Sequence, residues 1–435
     1  MLVAQNATAV IDVSAEVVGV SDPAQTGTPY AYNGSAYAVD TRKGEVRGEV
    51  SSRWFNRPAD ERFNSIPALL DAVKGRRDRS KTFYSQTDGF RVVGDRESSD
   101  LLIATKDPNG KEVIARPNHW SFSQMASLAG APASFLAKLP ADLAAADLDY
   151  LLGEAKPEGV QVYAMNGQTP YELRALTGPG YTRVYDADIV KRVMEFAGDG
   201  TGSGGARWKV PGQMNWSNMT YDPENMKPEG STLWASDRDV FMFLVDDRRP
   251  IQIGTIEDGP HQGAPDLLFR GFYVTNSEVG SAAFKLAAFY LRAVCQNRNL
   301  WGVEGFHEVR LRHTRGINYR NGGWSAEASR ALRTLGDSSE RKLIEAVNLA
   351  RVPLFSGGRD QLIEQATQWL GKRQFSKPEA DRVVKRVITE EGRAPRSVWD
   401  LAQGITAIAR DSEHQDTRTT LERRAQALLD KVRVN

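Results

Sequence analysis

The sequence predicts an α+β protein: a mixed, mainly antiparallel sheet core with packed helices, followed by a helical C-terminal region. Two observations carry this. Strand-like and helix-like segments interleave up to about residue 320, and from Ser325 onward only the 3.6-residue period of amphipathic helices remains. The sequence shows no internal repeat. At 435 residues the chain is long for one domain. The expected division is an N-terminal arm and small β-rich region over 1–116, an α+β core over 117–324 and the helical region over 325–435.

The elements follow in order. Residues 1–50 are polar and rich in Gly, Ala and Thr, and read as an extended arm with short strands. Pro67 suits the first turn of a helix over ALLDAVK, and a basic cluster follows at Lys74, Arg76, Arg77, Arg79 and Lys81. FRVVG, LLIATKD and KEVIARP read as strands, the last two joined by the turn Asp107-Pro108-Asn109-Gly110. SFSQMASLAG is a helix, broken at Pro132 and resumed in SFLAKLPADLAAADLDYLL. VQVYAMNG and YELRALT are strands, Ala187 to Phe196 is an amphipathic helix and GDGTGSGG is a loop. ARWKVPGQMNW, DVFMFLVDD and Gly271 to Thr275 read as strands. A helix is expected from Ser277 to about Val294, then a strand at FHEVRLRH. EASRALRTL, ERKLIEAVNLAR, RDQLIEQATQWLG, KPEADRVVKRVITEE, SVWDLAQGITAIAR and TLERRAQALLDKV complete the helical region.

Composition narrows the function classes. With 40% hydrophobic and 26% charged residues the chain can build a core, and its net charge of +1 leaves any nucleic-acid or membrane contact to local patches. One cysteine excludes an internal disulfide and a Cys-pair zinc site. The start MLVAQNATAV lacks the basic and apolar blocks of a secretion signal, and GSAAFKLAAFYL is too short to span a bilayer. A cytoplasmic protein without a membrane partner, cofactor or metal is expected.

Among candidate sites, GDGTGSGGAR lacks the Gly-Lys-Ser/Thr ending of a phosphate loop. His307-Glu308 begins like a zinc helix, but Leu311 stands where the second His belongs. Cys295 and His313 could pair as nucleophile and base, yet Cys295 sits in an apolar run where a buried thiol is the simpler reading. Asp237, Asp239, Asp246 and Asp247 flank the apolar VFMFLV and could hold magnesium in a metal-dependent nuclease. Arg238, Arg248 and Arg249 among them favour solvated strand ends. SFSQMASLAGAPASFLAKL fits a helix-turn-helix loosely, but its second helix lacks base-reading side chains.

The basic features weigh more. In FHEVRLRH the strand period puts Arg310 and Arg312 on one face and Val309 and Leu311, with His307 and His313, on the other. Arg53, Trp54 and Arg57 interleave cations with an aromatic ring, as a groove for stacked bases requires. Helix KPEADRVVKRVITEE carries a Ser376/Glu379 capping box and exposes Arg386 beside Arg382 and Lys385. Arg183, Arg292 and Arg298 are further phosphate contacts, and Tyr181 and Trp301 further stacking candidates. These patches make nucleic acid, single-stranded or duplex DNA, the expected partner. A non-enzymatic oligomeric structural or regulatory protein, a homo-oligomer through the helical region, is the other alternative to the nuclease.

RAVCQNRNLWG with RLRHT downstream, GFYVTNSEVGSAAF, ELRALTGPGYTRVYDADIV, SFLAKLP and SVWDLAQGITAIAR together resemble the phage/plasmid-related proteins, whose shared domain is of unknown function. The resemblance spans roughly residues 120–410. It departs at Arg298, where the family pattern Cys-x-Asn-Gly has glycine. It implies a mobile-element context among replication and recombination functions, and it brings no established catalytic residues.

Overall fold

Two sheets and a bundle of helices make up the computed structural model. It describes residues 61–432 apart from 167–169, 212, 216–219, 223–231, 257–261, 294–297, 300–307, 337–339 and 413–414. Mixed helices, mainly antiparallel sheets and a helical C-terminal region make this an α+β fold. The N-terminal arm, with Arg53, Trp54 and Arg57, lies outside the described residues, as do Cys295, Trp301 and His307.

The chain enters at β1 (Arg62–Phe63) and α1 (Ile66–Asp78). Ser65 caps α1 by accepting from the Ala68 amide at 3.3 Å, with Pro67 in the first turn as the sequence suggests. The first sheet then forms from β2 (Ser80–Gln86), β3 (Arg91–Gly94), β4 (Leu101–Lys106), β5 (Glu112–Pro117), β6 (Gly159–Met165) and β7 (Tyr171–Thr177). Its order is β2-β6-β7-β5-β4-β3, and only the β5–β7 pair is parallel. The turn expected between β4 and β5 is present: the Gly110 amide donates to the Asp107 carbonyl at 2.8 Å, and Gly110 sits at φ 78°. Helices α2 (His119–Leu128), α3 (Ala133–Leu136) and α4 (Ala141–Glu154) cover one face, packing Phe122, Met125, Leu136 and Leu148 on Val113, Val162 and Leu173. Gly94 allows β3 to end against α4, because a Cβ there would lie 2.0 Å from the Ala141 carbonyl oxygen. The boundary expected at 116 therefore falls inside one sheet.

After α5 (Asp186–Ala197) and the short pair β8 (Gln213–Asn215) and β9 (Thr220–Asp222), the second sheet forms from β10 (Leu233–Ala235), β11 (Val240–Thr255), β12 (Pro265–Asn276), β13 (Phe284–Arg292), β14 (Arg298–Asn299) and β15 (Val309–Leu311). With β1 it is a seven-stranded antiparallel sheet of order β1-β10-β11-β12-β13, and β14 and β15 share the outer edge of β13. Helices α1, α5 and α6 (Gly323–Gly336) cover one face. The other carries Trp234, Phe241, Tyr273 and Phe289. Gly271 faces Phe289 in register, where a Cβ would lie 2.2 Å from the ring.

β13 corrects the helix expected from Ser277 to Val294. Phe284, Leu286 and Ala288 join the helix-covered core while Ala287, Phe289 and Leu291 join the aromatic face. A strand buried on both faces reads as a continuous apolar run, which periodicity does not separate from a buried helix.

Helices α7 (Glu340–Arg351), α8 (Arg359–Gly371), α9 (Lys377–Glu391), α10 (Val398–Arg410) and α11 (Gln415–Val432) complete the chain. Their core extends onto Ile251, Ile253, Leu268 and Tyr290 at the far end of β11–β13. The α9 capping box is formed: the Ser376 amide donates to Glu379 Oε2 at 2.8 Å. An ionic joint ties this bundle to the sheet. Buried Asp266 accepts from Arg292 Nε and Nη2, both at 2.8 Å, and from Arg351 Nη2 at 2.6 Å. None of the described helices is long and apolar enough to cross a membrane.

Candidate nucleic-acid interface

The short strand β15 places the cations singled out in the sequence. Val309 and Leu311 turn half-buried toward the core, while Arg310 is exposed. Pairing with β13 sets Leu311 opposite Phe284, Arg310 opposite Lys285 and Val309 opposite Leu286. Arg310 and Lys285 therefore share a face as directly opposed like charges, an arrangement that destabilises a sheet unless an anion lies between them. Arg312, Arg315 and Arg320 follow, all exposed. Among the described residues none of these five cations has an acidic partner. Glu308, the carboxylate just before them, is taken by Arg423.

The segment is held from behind. His313 is buried; its ring stacks on Tyr181 with centroids 5.0 Å apart, and its Nδ1 lies 3.2 Å from the Thr182 carbonyl. Burial, then the neighbouring Arg183, lower the His313 pKa to about 4, so the ring is neutral and donates from Nδ1. The Thr182 amide donates to the His313 carbonyl at 3.1 Å, and Tyr181 bridges to Thr314. The Tyr181 hydroxyl in turn donates to the Ser277 carbonyl at 2.9 Å.

Beneath lies a buried polar network joining the two sheets. Arg174 of β7 is 1% exposed and donates Nη1 to Glu278 Oε1 and to the Tyr163 hydroxyl, the latter at 3.0 Å. The Tyr163 hydroxyl donates to Glu278 Oε1 at 3.0 Å, and the Asp186 amide, in the first turn of α5, donates to Glu278 Oε2 at 3.1 Å. Burial alone would raise the Glu278 pKa; Arg174 and Arg76 hold it below the usual carboxylate range. Asp186 behaves in the opposite way. Burial, reinforced by the Glu278 charge, pushes its carboxyl well above the usual range. Asn276 Nδ2 donates to the Val184 carbonyl at 3.0 Å and to Asp186 Oδ1 at 2.7 Å. Asp186 Oδ2 and Asn276 Oδ1 are both buried and unpartnered among the described residues. Asp186 and Asn276 thus form an acid–amide pair through the Nδ2–Oδ1 contact, and a proton on Asp186 would make its carboxyl a donor as well.

The remaining candidates fall elsewhere. Arg292, expected at a phosphate, is 4% exposed and shared between Asp266 and Glu391, so its guanidinium is neutralised inside the fold. Arg386 pairs with Glu390 and Asp411. Arg183 donates to the Glu278 carbonyl and to Thr177, and Tyr181 is occupied as above. These inward contacts arise from partners distant in sequence. Of Arg298 only the backbone is placed, in β14. The aspartates read as solvated strand ends are instead spent on internal contacts. Asp246 takes Arg207 and Arg249, Asp247 takes Lys209, and Asp239 accepts from the Ser236 hydroxyl. Among the described residues no group of three His, Cys, Asp or Glu is placed to hold a metal ion. Two surface residues escaped the sequence reading. Lys285 was assigned to a helix, and Tyr319, 67% exposed, lies between Arg315 and Arg320, a cation–aromatic alternation that RGINYR already displays.

Residues 221–431 match a family described as Domain of unknown function (DUF932). The match contains β10–β15 and the helical region, and so the arginine edge, but not the first sheet. No curated protein and no solved structure matches the chain.

Proposed function

We propose that this protein binds nucleic acid by its sugar–phosphate backbone along the β13–β15 edge, with Lys285, Arg310, Arg312, Arg315 and Arg320 contacting phosphates. One observation carries the reading. Many arginines of this chain are spent on carboxylates, including buried ones, whereas β15, the residues that follow it to Arg320 and the facing Lys285 of β13 gather cations without such partners among the described residues. Guanidinium groups facing water suit a polyanion, which releases condensed counterions on binding. The resemblance to phage/plasmid-related proteins supports a role in replication or recombination of a mobile element in the cytoplasm. The nuclease alternative gains no support, because Asp239, Asp246 and Asp247 are committed to internal contacts.

Titration of labelled single-stranded and duplex DNA at low and moderate salt tests the proposal. Binding at low salt that weakens steeply with salt is expected. Absence of binding at low salt ends it.

A further inference from the structure

Two exposed tyrosine rings are linked to the cation edge by sequence or by hydrogen bonds. Tyr319 is 67% exposed, lies between Arg315 and Arg320, and makes no side-chain hydrogen bond among the described residues. Tyr84, on the edge strand β2, is 61% exposed. Hydrogen bonds link it toward the cation segment. Gln161 Nε2 donates to the Tyr84 hydroxyl at 3.3 Å and to the Tyr181 carbonyl at 2.6 Å. Tyr181 bridges to Thr314, which stands between Arg312 and Arg315. One connected path therefore runs from Tyr84 through Gln161, Tyr181 and Thr314 to Arg315 and Tyr319.

Phosphate contacts alone accept single strands and duplexes, since both carry the same anion. An exposed ring face adds a distinction. It stacks on a base only when that base is not already sandwiched by its neighbours in a helix. Tyr163 and Tyr181 are engaged in the interior and leave this role to Tyr84 and Tyr319. We infer that Tyr84 and Tyr319 stack unpaired bases beside the cation segment, so that the edge selects single-stranded nucleic acid over duplex. The inference rests on the phosphate-binding reading of the same edge.

The test uses the full chain and fluorescence anisotropy with a labelled thymidine oligonucleotide and with its duplex. Wild type binds the single strand more tightly. Tyr319→Ala and Tyr84→Ala each lower single-strand affinity by about 5- to 150-fold, as expected for one stacked base. Duplex affinity and the salt dependence stay unchanged, and Tyr319→Phe and Tyr84→Phe retain single-strand binding. Both rings project into solvent, so melting temperature is expected to hold, and circular dichroism checks it. Alanine variants that bind the single strand like wild type, or that lose single strand and duplex equally, overturn the inference while leaving the phosphate reading in place. If wild type binds neither probe, or Arg310→Gln with Arg312→Gln changes nothing, the phosphate reading fails and this inference falls with it.

Discussion

Replacing Arg310 and Arg312 together by glutamine gives the sharpest reading of the β15 edge. Both side chains are exposed and lack an acidic partner among the described residues, so the change removes charge without uncovering a buried ion. Fold stability is expected to move by no more than about 0.5 kcal/mol, and relief of the Arg310–Lys285 opposition favours the variant. Binding responds differently. Each phosphate neutralised on a single strand contributes about 0.7 to the slope of log affinity against log salt, so five cations give a slope of about −3.5. A rise from about 50 to 200 mM salt then weakens wild type about 100-fold. With three cations left, the slope falls to about −2.1 and the same rise costs about 20-fold. Anisotropy titrations at four or five salt concentrations measure both slopes. Equal slopes in wild type and double variant would refute the assignment of these two arginines, even if affinity fell.

Asp186→Asn tests the acid–amide pair. The folded Asp186 carboxyl holds its proton to higher pH than the unfolded one, whose ordinary value is 3.8, so between these limits folding takes up a proton and stability declines as pH rises. Asparagine mimics the neutral acid with its amide. The variant is expected to be at least as stable as wild type at neutral pH and to flatten the alkaline decline in urea titrations. A loss of several kcal/mol at neutral pH would mean that the carboxylate is ionised in the fold. Glu278→Gln has the opposite sign. Its carboxylate is held below the usual range, so wild type loses the Glu278 contribution as pH falls and the variant lacks it already at neutral pH. In the ionic joint, Asp266→Asn leaves the almost fully buried Arg292 without its bidentate partner, with Glu391 remaining, and removes a partner of Arg351. Breaking a buried pair costs about 3–5 kcal/mol, and urea unfolding that shows under about 1 kcal/mol would show the joint to be dispensable.

How much of this was legible depends on how local each cause is. Asp107 to Gly110 declares its turn within four residues, and the Ser376 capping box declares a helix start within another four; both form. Alternation alone placed Arg310 outward and His313 inward. β13 was misread because burial on both faces erased its period. The fates of Arg292 and Arg386 were illegible for another reason. Asp266 and Glu391 lie 26 and 99 residues from Arg292, and Asp411 lies 25 from Arg386, so the pairing exists only once the chain is folded. The network at Arg174, Glu278 and Asp186 left a fainter trace: Arg174 stands between Leu173 and Ala175, an isolated charge in an apolar run. Such isolated charges in apolar runs signal internal partners more than surface.

The network under the edge also bears on what counts as a unit of this protein. The family match begins at residue 221 and retains Asn276, Glu278 and His313. Each of these closes on a residue that precedes it: Asp186, Arg174 and Thr182. The same preceding stretch supplies α1 and α5, which roof one face of the second sheet. Cut at 221, the chain would carry a carboxylate stripped of its guanidinium and an apolar face roofed by α6 alone. In this molecule the matched stretch is not a self-sufficient unit of folding. Any relative that keeps it behind a different N-terminal half must provide its own roof and its own countercharge for the carboxylate at position 278.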